Sequence, residues 1–503
     1  MGSGVALLDF DRDGLLDIYL VNGAALGDPM PGAAQPKKSD PLYWNRLLRN
    51  RGNWRFEDVT EQAGVAGSGY GMGVTVGDYD NDGAPDIFIT NFGPDTLLRN
   101  RGDGTFEDVS RNAGVRGAGW SSGAAFVDVD RDGLLDLFVA GYLEWSFADS
   151  RPCGDFLPQR RSYCHPRLFA PARHTLYRNT GDGFVDISSE AGLEDHRGKG
   201  LGVAIGYFDA DDWIDILVAN DSEPQQLFRN IEGRRFEETA VSAGVAYDPD
   251  GRTFAGMGIV WQDYDRDGRT DVLINALARQ GYQLYRQSDG VFESASEASG
   301  IESLSLLSSG WGMSLADFDN DGWRDLVVGQ GHVMDDIADS DPRLAHREPM
   351  LLARNLVGRF YDVTSRAGEA FQQDFAARGV AVGDLDGDGL LDVVVNVNDG
   401  QAFALRNTTA AAGRSLTVTL RGATDNRDGV GARVTVESVE GVRQHAVVST
   451  AGSYLSSNGK ALHFGVGAGE CCKSVSVEWP NGEVQRLRDV SGSALEIRQQ
   501  EAR

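Results

Sequence analysis

Nine-residue acidic loops recur along the chain, and their residue types and spacing are those of a cation site. The pattern is Asp-x-Asp-x-Asp-Gly-x-x-Asp. Aspartates at positions 1, 3, 5 and 9 of a tight turn direct carboxylate oxygens at one point, and the carbonyl of position 7 can add a further ligand. Gly at position 6 permits the sharp bend. Because such hard oxygen ligands select Ca²⁺ over thiophilic metals, each intact loop predicts a calcium site.

Six copies of the loop are intact, and they predict six bound calcium ions. The predicted ligands are Asp9, Asp11, Asp13, Leu15 and Asp17; Asp78, Asp80, Asp82, Ala84 and Asp86; Asp128, Asp130, Asp132, Leu134 and Asp136; Asp263, Asp265, Asp267, Arg269 and Asp271; Asp317, Asp319, Asp321, Trp323 and Asp325; and Asp384, Asp386, Asp388, Leu390 and Asp392. A seventh copy, YFDADDWID, has lost the first carboxylate and the glycine. It leaves Asp209, Asp211 and Asp215 as candidate ligands, and a seventh ion stays open.

Two other interpretations apply to such a loop. The helix-loop-helix calcium hand requires Glu at position 12, where this chain has Leu20, Ile89 or Ile274 inside a predicted strand, so that motif is excluded. A single Asp-Gly loop is equally well explained as a turn whose polar groups are satisfied by water and backbone N–H groups. The six matching copies favour calcium over a turn of that kind.

Each loop joins two predicted strands, and two more strands follow. A run of small residues such as GVAVG precedes the loop (strand A), and a β-branched run such as DVVVN follows it (strand B). Next come a signal of the LLRN type (strand C) and, after a Gly-rich turn, one of the FEDVT type (strand D). Seven repeats, with start-to-start spacings of 50 to 79 residues, predict an all-β fold with a seven-bladed integrin-type β-propeller.

Seven copies of strands A, B and C are present, but only six of strand D. The missing strand would lie before residue 1. Three explanations stay open: the chain is shortened at its N-terminus, the last blade has three strands, or the C-terminal region covers the open edge. An exposed sheet edge otherwise invites aggregation.

The acidic residues are concentrated in the loops. Of the 75 Asp and Glu residues, 28 lie in the seven copies, and the formal net charge is −28. This charge repels phosphate backbones, so nucleic acid is excluded as a partner. No apolar run approaches the roughly 18 residues of a membrane helix, so no membrane insertion is expected. The first residues lack the charged and apolar regions of a signal peptide.

Four cysteines are too few for a disulfide-dense scaffold, and they lack the paired CxxC spacing of a zinc site. Cys153 and Cys164 share one loop and can either pair in an oxidising compartment or stay reduced. Cys471 and Cys472 precede a predicted strand, and structural burial is favoured over a catalytic thiol.

Three long connections between strands B and C predict a ligand-binding surface. They run from Asn22 to Trp44, from Gly141 to His174 and from Gln330 to Pro349, and loops of this length in a compact repeat usually serve binding. They lie on the propeller face opposite the acidic loops, named here the upper face, where they can roof the central channel. The candidate ligand-face residues are Trp145, Arg160, Arg161, Tyr163, His165, Arg167, His332, Asp335, Asp336 and His346.

These cationic and aromatic groups suit an anionic or glycan-like ligand. Alternatively, the Arg and His side chains pair with neighbouring acids and only hold the long loops in place. His332, close in sequence to Asp335 and Asp336, also permits a transition-metal site.

The repeats resemble the FG-GAP or VCBS repeats of integrin-type propellers. The C-terminal segments NRDGVGARVTV (426 to 436), GSYLSSN (452 to 458), LHFGVG (462 to 467) and VEWPNG (477 to 482) resemble the ASPIC/UnbV domain of the cartilage acidic protein family. The resemblance implies a calcium-binding propeller over residues 1–407, a linker over 408–414 and an ASPIC/UnbV-like β domain over 415–503. It also implies an extracellular or periplasmic location, although relatives in bacterial enediyne gene clusters leave a cytoplasmic biosynthetic role open.

Two functions therefore stay open. The first is a calcium-binding recognition module that binds a protein or carbohydrate ligand through the upper face. The second is a natural-product tailoring enzyme that holds a small-molecule intermediate in the roofed channel. No metalloprotease helix, P-loop or dinucleotide fingerprint is present, so no catalytic residue is assigned and the first function is favoured.

Overall fold

The computed structural model describes residues 2–27, 30, 36–117, 119–151, 153, 162–410, 412–467 and 471–500. Within these residues the fold is almost entirely antiparallel β-sheet. Repeats 1 to 6 each form a sheet in the order A-B-C-D, and repeat 7 forms a sheet in the order A-B-C. The expected all-β propeller architecture is confirmed.

The strands of each repeat follow one another in the chain. They are Val5–Leu8, Asp17–Leu20, Arg46–Asn50 and Phe56–Asp58 in repeat 1; Tyr70–Gly77, Asp86–Phe92, Thr96–Asn100 and Phe106–Asp108 in repeat 2; Ser121–Val127, Asp136–Gly141, Thr175–Asn179 and Phe184–Asp186 in repeat 3; Gly200–Gly206, Asp215–Glu223, Gln226–Ile231 and Arg235–Glu238 in repeat 4; Ile259–Gln262, Asp271–Ile274, Gln283–Ser288 and Val291–Ser294 in repeat 5; Gly310–Ala316, Asp325–Gln330, Leu351–Leu356 and Arg359–Asp362 in repeat 6; and Ala377–Gly383, Asp392–Val397 and Phe403–Leu405 in repeat 7.

Short elements decorate these sheets. A strand at Phe254–Ala255 extends strand B of repeat 4, and two-stranded ribbons pair Leu143–Glu144 with Ala170–Pro171 and Glu348–Pro349 with Asp374–Phe375. The α-helical turns are Thr60–Ala63, Ser110–Ala113, Ala240–Ala243, Ile301–Ser305 and Ile337–Ser340, and the 3₁₀ turns are Pro41–Tyr43, Phe147–Asp149, Pro166–Leu168, Thr364–Arg366 and Glu369–Gln372. None of the helices in the described residues is long and apolar enough to cross a membrane.

The A strands of the seven repeats form a closed ring. Each contacts the A strand of the next repeat, and strand A of repeat 7 contacts strand A of repeat 1. Glycines permit this close approach: a Cβ on Gly123 would lie 2.5 Å from the carbonyl oxygen of Leu201, and one on Gly202 would lie 2.5 Å from that of Met257. The run of small residues that is typical of strand A is therefore needed where neighbouring sheets meet.

The C-terminal region adds two sheets that pack on the face carrying the acidic loops. One contains Arg414–Arg421, Leu462–Gly467 and Ala494–Arg498, and the other contains Arg433–Ser438, Arg443–Val447, Cys471–Glu478 and Val484–Ser491. The hydrophobic core of this region, including the buried Trp479, is continuous with the core of repeats 2 to 4. The two parts of the chain are therefore packed as one body. Cys472 is buried inside a strand rather than before one.

Among the described residues no C-terminal strand pairs with the edge of the repeat 7 sheet, so covering of this edge by a C-terminal strand is not seen, and the other two explanations for the missing strand D stay open. In the long connection between strands B and C of repeat 3, Cys153 and Cys164 form a disulfide. The oxidised alternative is thus the one seen.

Candidate calcium sites and the channel mouth

The backbone of each intact acidic loop is folded around its own carboxylates. In repeat 2, the two oxygens of Asp78 accept the backbone N–H groups of Asp82 at 3.0 Å and Gly83 at 2.8 Å. Asp82 in turn accepts the N–H of Ala84 at 2.9 Å. Gly83 has a φ of 89°, a left-handed value that other residues rarely adopt, so the glycine at position 6 is required by the turn.

In repeats 1, 2, 3, 5 and 6 the loop geometry brings three carboxylates within ligand distance of one another. Ligand oxygens within 4.8 Å of each other come from positions 1, 3 and 9 in repeats 2, 3, 5 and 6, and from positions 1, 3 and 5 in repeat 1. Several of these oxygens are buried without a hydrogen-bond or ion-pair partner among the described residues: Asp11 Oδ1, Asp80 Oδ1, Asp128 Oδ1, Asp130 Oδ1, Asp263 Oδ1 and Asp386 Oδ1. Because buried polar atoms are normally satisfied, these orphaned oxygens fit a hard divalent cation.

The aspartate at position 9 also braces the sheet. The two oxygens of Asp86 accept the backbone N–H of Tyr79, at 3.2 Å, and of Asn100, at 2.7 Å. The same pair of bonds recurs at the equivalent aspartate of every other repeat, including Asp215 in the degenerate loop. Position 9 therefore anchors strand C to the loop whether or not an ion is held.

Strand C supplies an arginine and an asparagine whose roles the sequence analysis missed. Arg99 lies 2.7 Å from Asp80 and 3.7 Å from Asp82, on the outer side of the carboxylate cluster. The next residue, Asn100, donates its side-chain N–H to the carbonyl of Phe10 in the preceding repeat at 2.8 Å. All seven repeats use this scheme, with Gln287 replacing Asn in repeat 5. The signal was present in the sequence as the recurrent Arg-Asn pair.

Burial and mutual repulsion raise the pKa of several loop carboxyls. Burial is the largest cause, and it raises the pKa of Asp86 to about 9 and those of Asp17, Asp271 and Asp325 to about 8. The like charges of neighbouring aspartates act in the same direction, whereas hydrogen bonds from backbone N–H groups oppose it. A cation in the cluster would favour the ionised form, so protons and the ion compete for these sites.

The degenerate loop of repeat 4 contacts the C-terminal region through the residues that replaced the consensus. The hydroxyl of Tyr207, at position 1, donates to the carbonyl of Gly431 at 2.6 Å. Asp212, at position 6, pairs with Arg433 at 2.6 Å, and the Arg433 guanidinium lies 4.6 Å from the centroid of the Tyr207 ring. The phenol of Tyr207 therefore lies where the intact loops have their first carboxylate. The Arg433 guanidinium binds Asp212 at the position where the intact loops have a glycine.

A cavity of about 990 Å³ lies between the calcium-loop face and the C-terminal region. Position 1 of several loops lines it, including Asp9, Asp78, Asp317 and Asp384. The ends of these loops are thus bordered by open space although the C-terminal region covers the face.

The central channel is filled by the chain itself. Residues 450–458 enter it from the calcium-loop face and hydrogen-bond with strand A of every repeat. Ser457 pairs with strand A of repeat 1, and Ser453 bonds the strands of repeats 5, 6 and 7. This channel segment, residues 450–458, contains the GSYLSSN motif of the sequence analysis, for which no role had been predicted.

Polar and aromatic side chains collect where the channel segment ends, at the mouth of the channel on the upper face. Tyr454 is fully buried, with its ring centroid 5.0 Å from that of Trp311. The Arg378 guanidinium lies over the same Trp311 ring, 4.0 Å from its centroid. Burial lowers the pKa of Arg378 to about 10. The Tyr454 hydroxyl and Arg378 Nε have no hydrogen-bond partner within the described part of the chain. Such atoms mark places for water or a polar ligand.

Some of the predicted ligand-face residues surround this mouth. Trp145 packs among Phe92, Trp120 and Phe147, with ring centroids 5.1 to 5.7 Å apart. Tyr163 is 62% exposed, and it interacts electrostatically with Arg378. These two residues present aromatic surface beside the polar groups of the mouth.

The remaining predicted residues serve the loops or lie at the surface. His165 and Arg167 are exposed, and His165 Nδ1 accepts the Arg167 N–H. His332 is buried with its Nδ1 accepting the Met334 N–H, and His346 Nδ1 bonds the His332 carbonyl. The remaining positions are Asp335, which is exposed, Asp336, which begins the helical turn at Ile337, and Arg160 and Arg161, which lie outside the described residues.

The amino-acid sequence matches two family models. One, described as "FG-GAP-like repeat", matches residues 9–89, 78–139, 207–274 and 263–328, and the other, described as "ASPIC and UnbV", matches residues 422–503. Cartilage acidic protein 1 of Homo sapiens is 28% identical over 324 residues, which are 62% of this chain and 46% of that protein, and the Mus musculus protein is 27% identical over 310 residues, 59% of this chain and 44% of that protein. The chain thus spans about half the length of these relatives.

Among solved structures, an Agrocybe aegerita lectin that recognises non-reducing terminal N-acetylglucosamine matches with a TM-score of 0.41 and 15% identity, covering 81% of this chain and 94% of the lectin. The BP39L lectin of Burkholderia pseudomallei matches with a TM-score of 0.42 and 9% identity, covering 80% of this chain and 99% of that lectin.

Proposed function

Since the chain belongs to the FG-GAP-like repeat family and ends in an ASPIC and UnbV domain, we propose that it is a calcium-stabilised recognition module. It binds a protein or carbohydrate ligand through the upper face of the propeller. The disulfide between Cys153 and Cys164 supports a location in an oxidising, extracytoplasmic compartment.

Calcium in this proposal is structural. Six ions are held by the intact loops, through the carboxylates at positions 1, 3, 5 and 9 and the carbonyl at position 7. The orphaned carboxylate oxygens support this assignment. Repeat 4 holds no ion, because Tyr207 removes the first carboxylate and Arg433 already neutralises Asp212. The ions offset the repulsion between clustered carboxylates, so they stabilise the folded chain by linkage.

The upper face is the proposed ligand surface because the opposite face is already covered. The C-terminal sheets pack on the calcium loops, and residues 450–458 fill the channel from that side. This covering is the single observation that carries the assignment. What the upper face offers is exposed Tyr163 and half-buried Trp145, and the unpartnered groups of Tyr454 and Arg378 are buried next to them. Aromatic surface with a few polar groups suits a sugar ring or an extended peptide.

The experiment compares binding to a glycan array and to a displayed peptide library, each in calcium, by the parent protein and by the double variant Tyr163→Ala, His165→Ala. Both side chains are exposed, so the fold should tolerate their removal. We expect the parent to select one ligand class and the variant to lose at least tenfold in affinity. The matched control is Tyr361→Ala, since Tyr361 is an aromatic residue exposed at the outer edge of repeat 6. Equal binding by the parent and the double variant would refute the assignment to this face.

A further inference from the structure

Acidic loops of neighbouring repeats are joined through the residue at position 4 of the loop. This residue lies between two predicted ligand aspartates but supplies no ligand itself. In Asn81, Arg131, Arg266 and Asn320 its backbone is left-handed, with φ values of 55°, 59°, 62° and 57°. From this position the side chain crosses to the acidic loop of the next repeat. Each of these four residues therefore belongs to one loop and contacts another.

The group that receives the contact is the carbonyl at position 6 of the next loop. The bonds run from Asn81 Nδ2 to Gly133 at 2.9 Å, from Asn320 Nδ2 to Gly389 at 3.1 Å, from Arg266 Nε to Gly322 at 2.7 Å, and from Arg131 to Asp212. Arg266 also donates to the carbonyl of Asp321 at 3.1 Å, and its guanidinium lies 3.8 Å from the centroid of the Trp323 ring. The loop of repeat 5 thus holds the loop of repeat 6 by three contacts.

The bonded carbonyl belongs to the peptide that joins positions 6 and 7 of the receiving loop. In repeat 6 the N–H of the same peptide, from Trp323, donates to Asp321 Oδ1 at 2.8 Å. Asp321 is a predicted carboxylate ligand, and Trp323 supplies the predicted carbonyl ligand. A bond to this peptide therefore holds two ligands in place before an ion arrives, which lowers the conformational cost of binding.

Three of the six intact loops receive no such bond within the described part of the chain. The loop of repeat 1 follows Gly387, which has no side chain, and the loop of repeat 5 follows Ala210, whose side chain is apolar. The loop of repeat 2 follows Arg12, which donates instead to the carbonyl of Gly102, at 3.4 Å, in the turn between strands C and D. The intact loops thus divide into linked loops, in repeats 3, 6 and 7, and unlinked loops, in repeats 1, 2 and 5.

We propose that the position-4 residue of one repeat is a positioning residue for the calcium site of the next repeat, so that the six sites form two classes of affinity. The linked loops bind calcium tightly, and the unlinked loops bind it more weakly. Contacts that orient metal ligands typically change metal affinity by about 10- to 100-fold, so the two classes should differ by at least about tenfold. This inference rests on the structural role proposed above for calcium.

The test counts the ions in each class by competition with a chromophoric calcium chelator. The parent protein should bind three ions tightly and three weakly. Arg266→Gly removes the link to repeat 6 but permits the left-handed backbone, as Gly387 shows with a φ of 73° at the same position. This variant should bind two ions tightly and four weakly. Arg12→Gly is the matched control: it makes the same change at a position 4 that links no loop, so three and three are expected.

Two further variants separate positioning from charge and from stability. Arg266→Asn removes the same positive charge as Arg266→Gly, but it supplies the amide that makes this bond in Asn81 and Asn320, so it should restore the third tight site. Gly387→Asn should create a link to repeat 1 and give four tight and two weak ions. Space is available, because a Cβ on Gly387 or on Gly14 would have no neighbour within 4 Å, and Asn tolerates a left-handed backbone.

Three results would each overturn the inference: six ions of a single class in the parent, three tight ions in Arg266→Gly, or an Arg266→Asn variant that binds no better than Arg266→Gly. The structural role of calcium would survive all three, because it depends only on the total of six ions. A parent protein that binds no calcium would refute both. If Arg266→Gly does not fold, the fourth tight ion expected in Gly387→Asn decides the question.

Discussion

Removing two carboxylates from one intact loop should abolish one calcium site and leave the others unchanged. In repeat 2, Asp80→Ala with Asp82→Ala removes the ligands at positions 3 and 5. Oδ1 of Asp80 is buried without a partner, and Oδ2 is 2.7 Å from Arg99. Half of the carboxylates of the site are lost, while the brace formed by Asp86 stays in place.

The size of the effect follows from linkage. At a free calcium concentration one hundred times the dissociation constant, one site stabilises the folded state by about 2.7 kcal/mol. For a chain of this length the entropy of unfolding is about 1 kcal/mol per kelvin, so the loss of one site lowers Tm in calcium by roughly 2 to 3 °C. The lost ion pair of Arg99 adds little, because that side chain is 44% exposed. Isothermal titration calorimetry gives the stoichiometry, and differential scanning fluorimetry in calcium and in EGTA gives the two Tm values.

The degenerate loop provides a matched control. Asp209→Ala with Asp211→Ala removes the same two positions in repeat 4, where Arg229 makes the equivalent ion pairs at 2.6 and 3.1 Å. We expect this variant to bind as many ions as the parent and to gain as much Tm from calcium. The reasoning fails if the repeat 2 variant keeps the parent stoichiometry, or if the repeat 4 variant loses an ion as well.

Three further predictions concern acidity, the channel and the ring. Burial raises the pKa of Asp86 from 3.8 to about 9 and that of Asp325 from 3.8 to about 8. In EGTA, the stabilisation that comes from protonating these carboxyls in the folded state should therefore be fully present below about pH 4 and be lost as the pH rises towards 8 to 9. The Tm gain from calcium, measured by scanning fluorimetry, should thus be larger at pH 8 than at pH 5. Tyr454→Ala should lower the free energy of unfolding by about 3 to 5 kcal/mol in urea because it empties a fully buried site, whereas Tyr454→Phe should cost less than about 1 kcal/mol because its hydroxyl has no described partner. Asn50→Ala breaks the side-chain bond of 2.7 Å that links repeat 1 to repeat 7 and should cost about 1 to 3 kcal/mol in the same assay. The control Asn112→Ala, at an exposed position of the helical turn Ser110–Ala113, is expected to be neutral.

The repeat architecture could be predicted because its signals are local. Strand A, the acidic loop and strand B lie within about 20 residues. Within the loop, the left-handed backbone of Gly83 and its hydrogen bond to Asp78 depend only on neighbouring residues. The Arg-Asn pair is equally visible in the sequence, where it indicates only strand C. Its roles involve Asp80 from another strand and Phe10 from another repeat, and a repeat pattern does not reveal contacts between repeats.

The ligand face was predicted less completely. Loop length directed attention to Trp145 and Tyr163, which do lie by the channel mouth. Arg378 and Tyr454 were missed, because one is in an apolar strand and the other in a C-terminal motif. Their proximity depends on the insertion of residues 450–458 into the ring.

The amino-acid sequence alone determined the elements and the chemistry of the loops, since alternating aspartates, a left-handed glycine and a β-branched run act over a few residues. Tertiary structure alone decided which face is covered and what fills the channel. These features depend on contacts between residues such as Ser457 and Val5, which are far apart in the chain, and such contacts form only after the ring has brought the strands together.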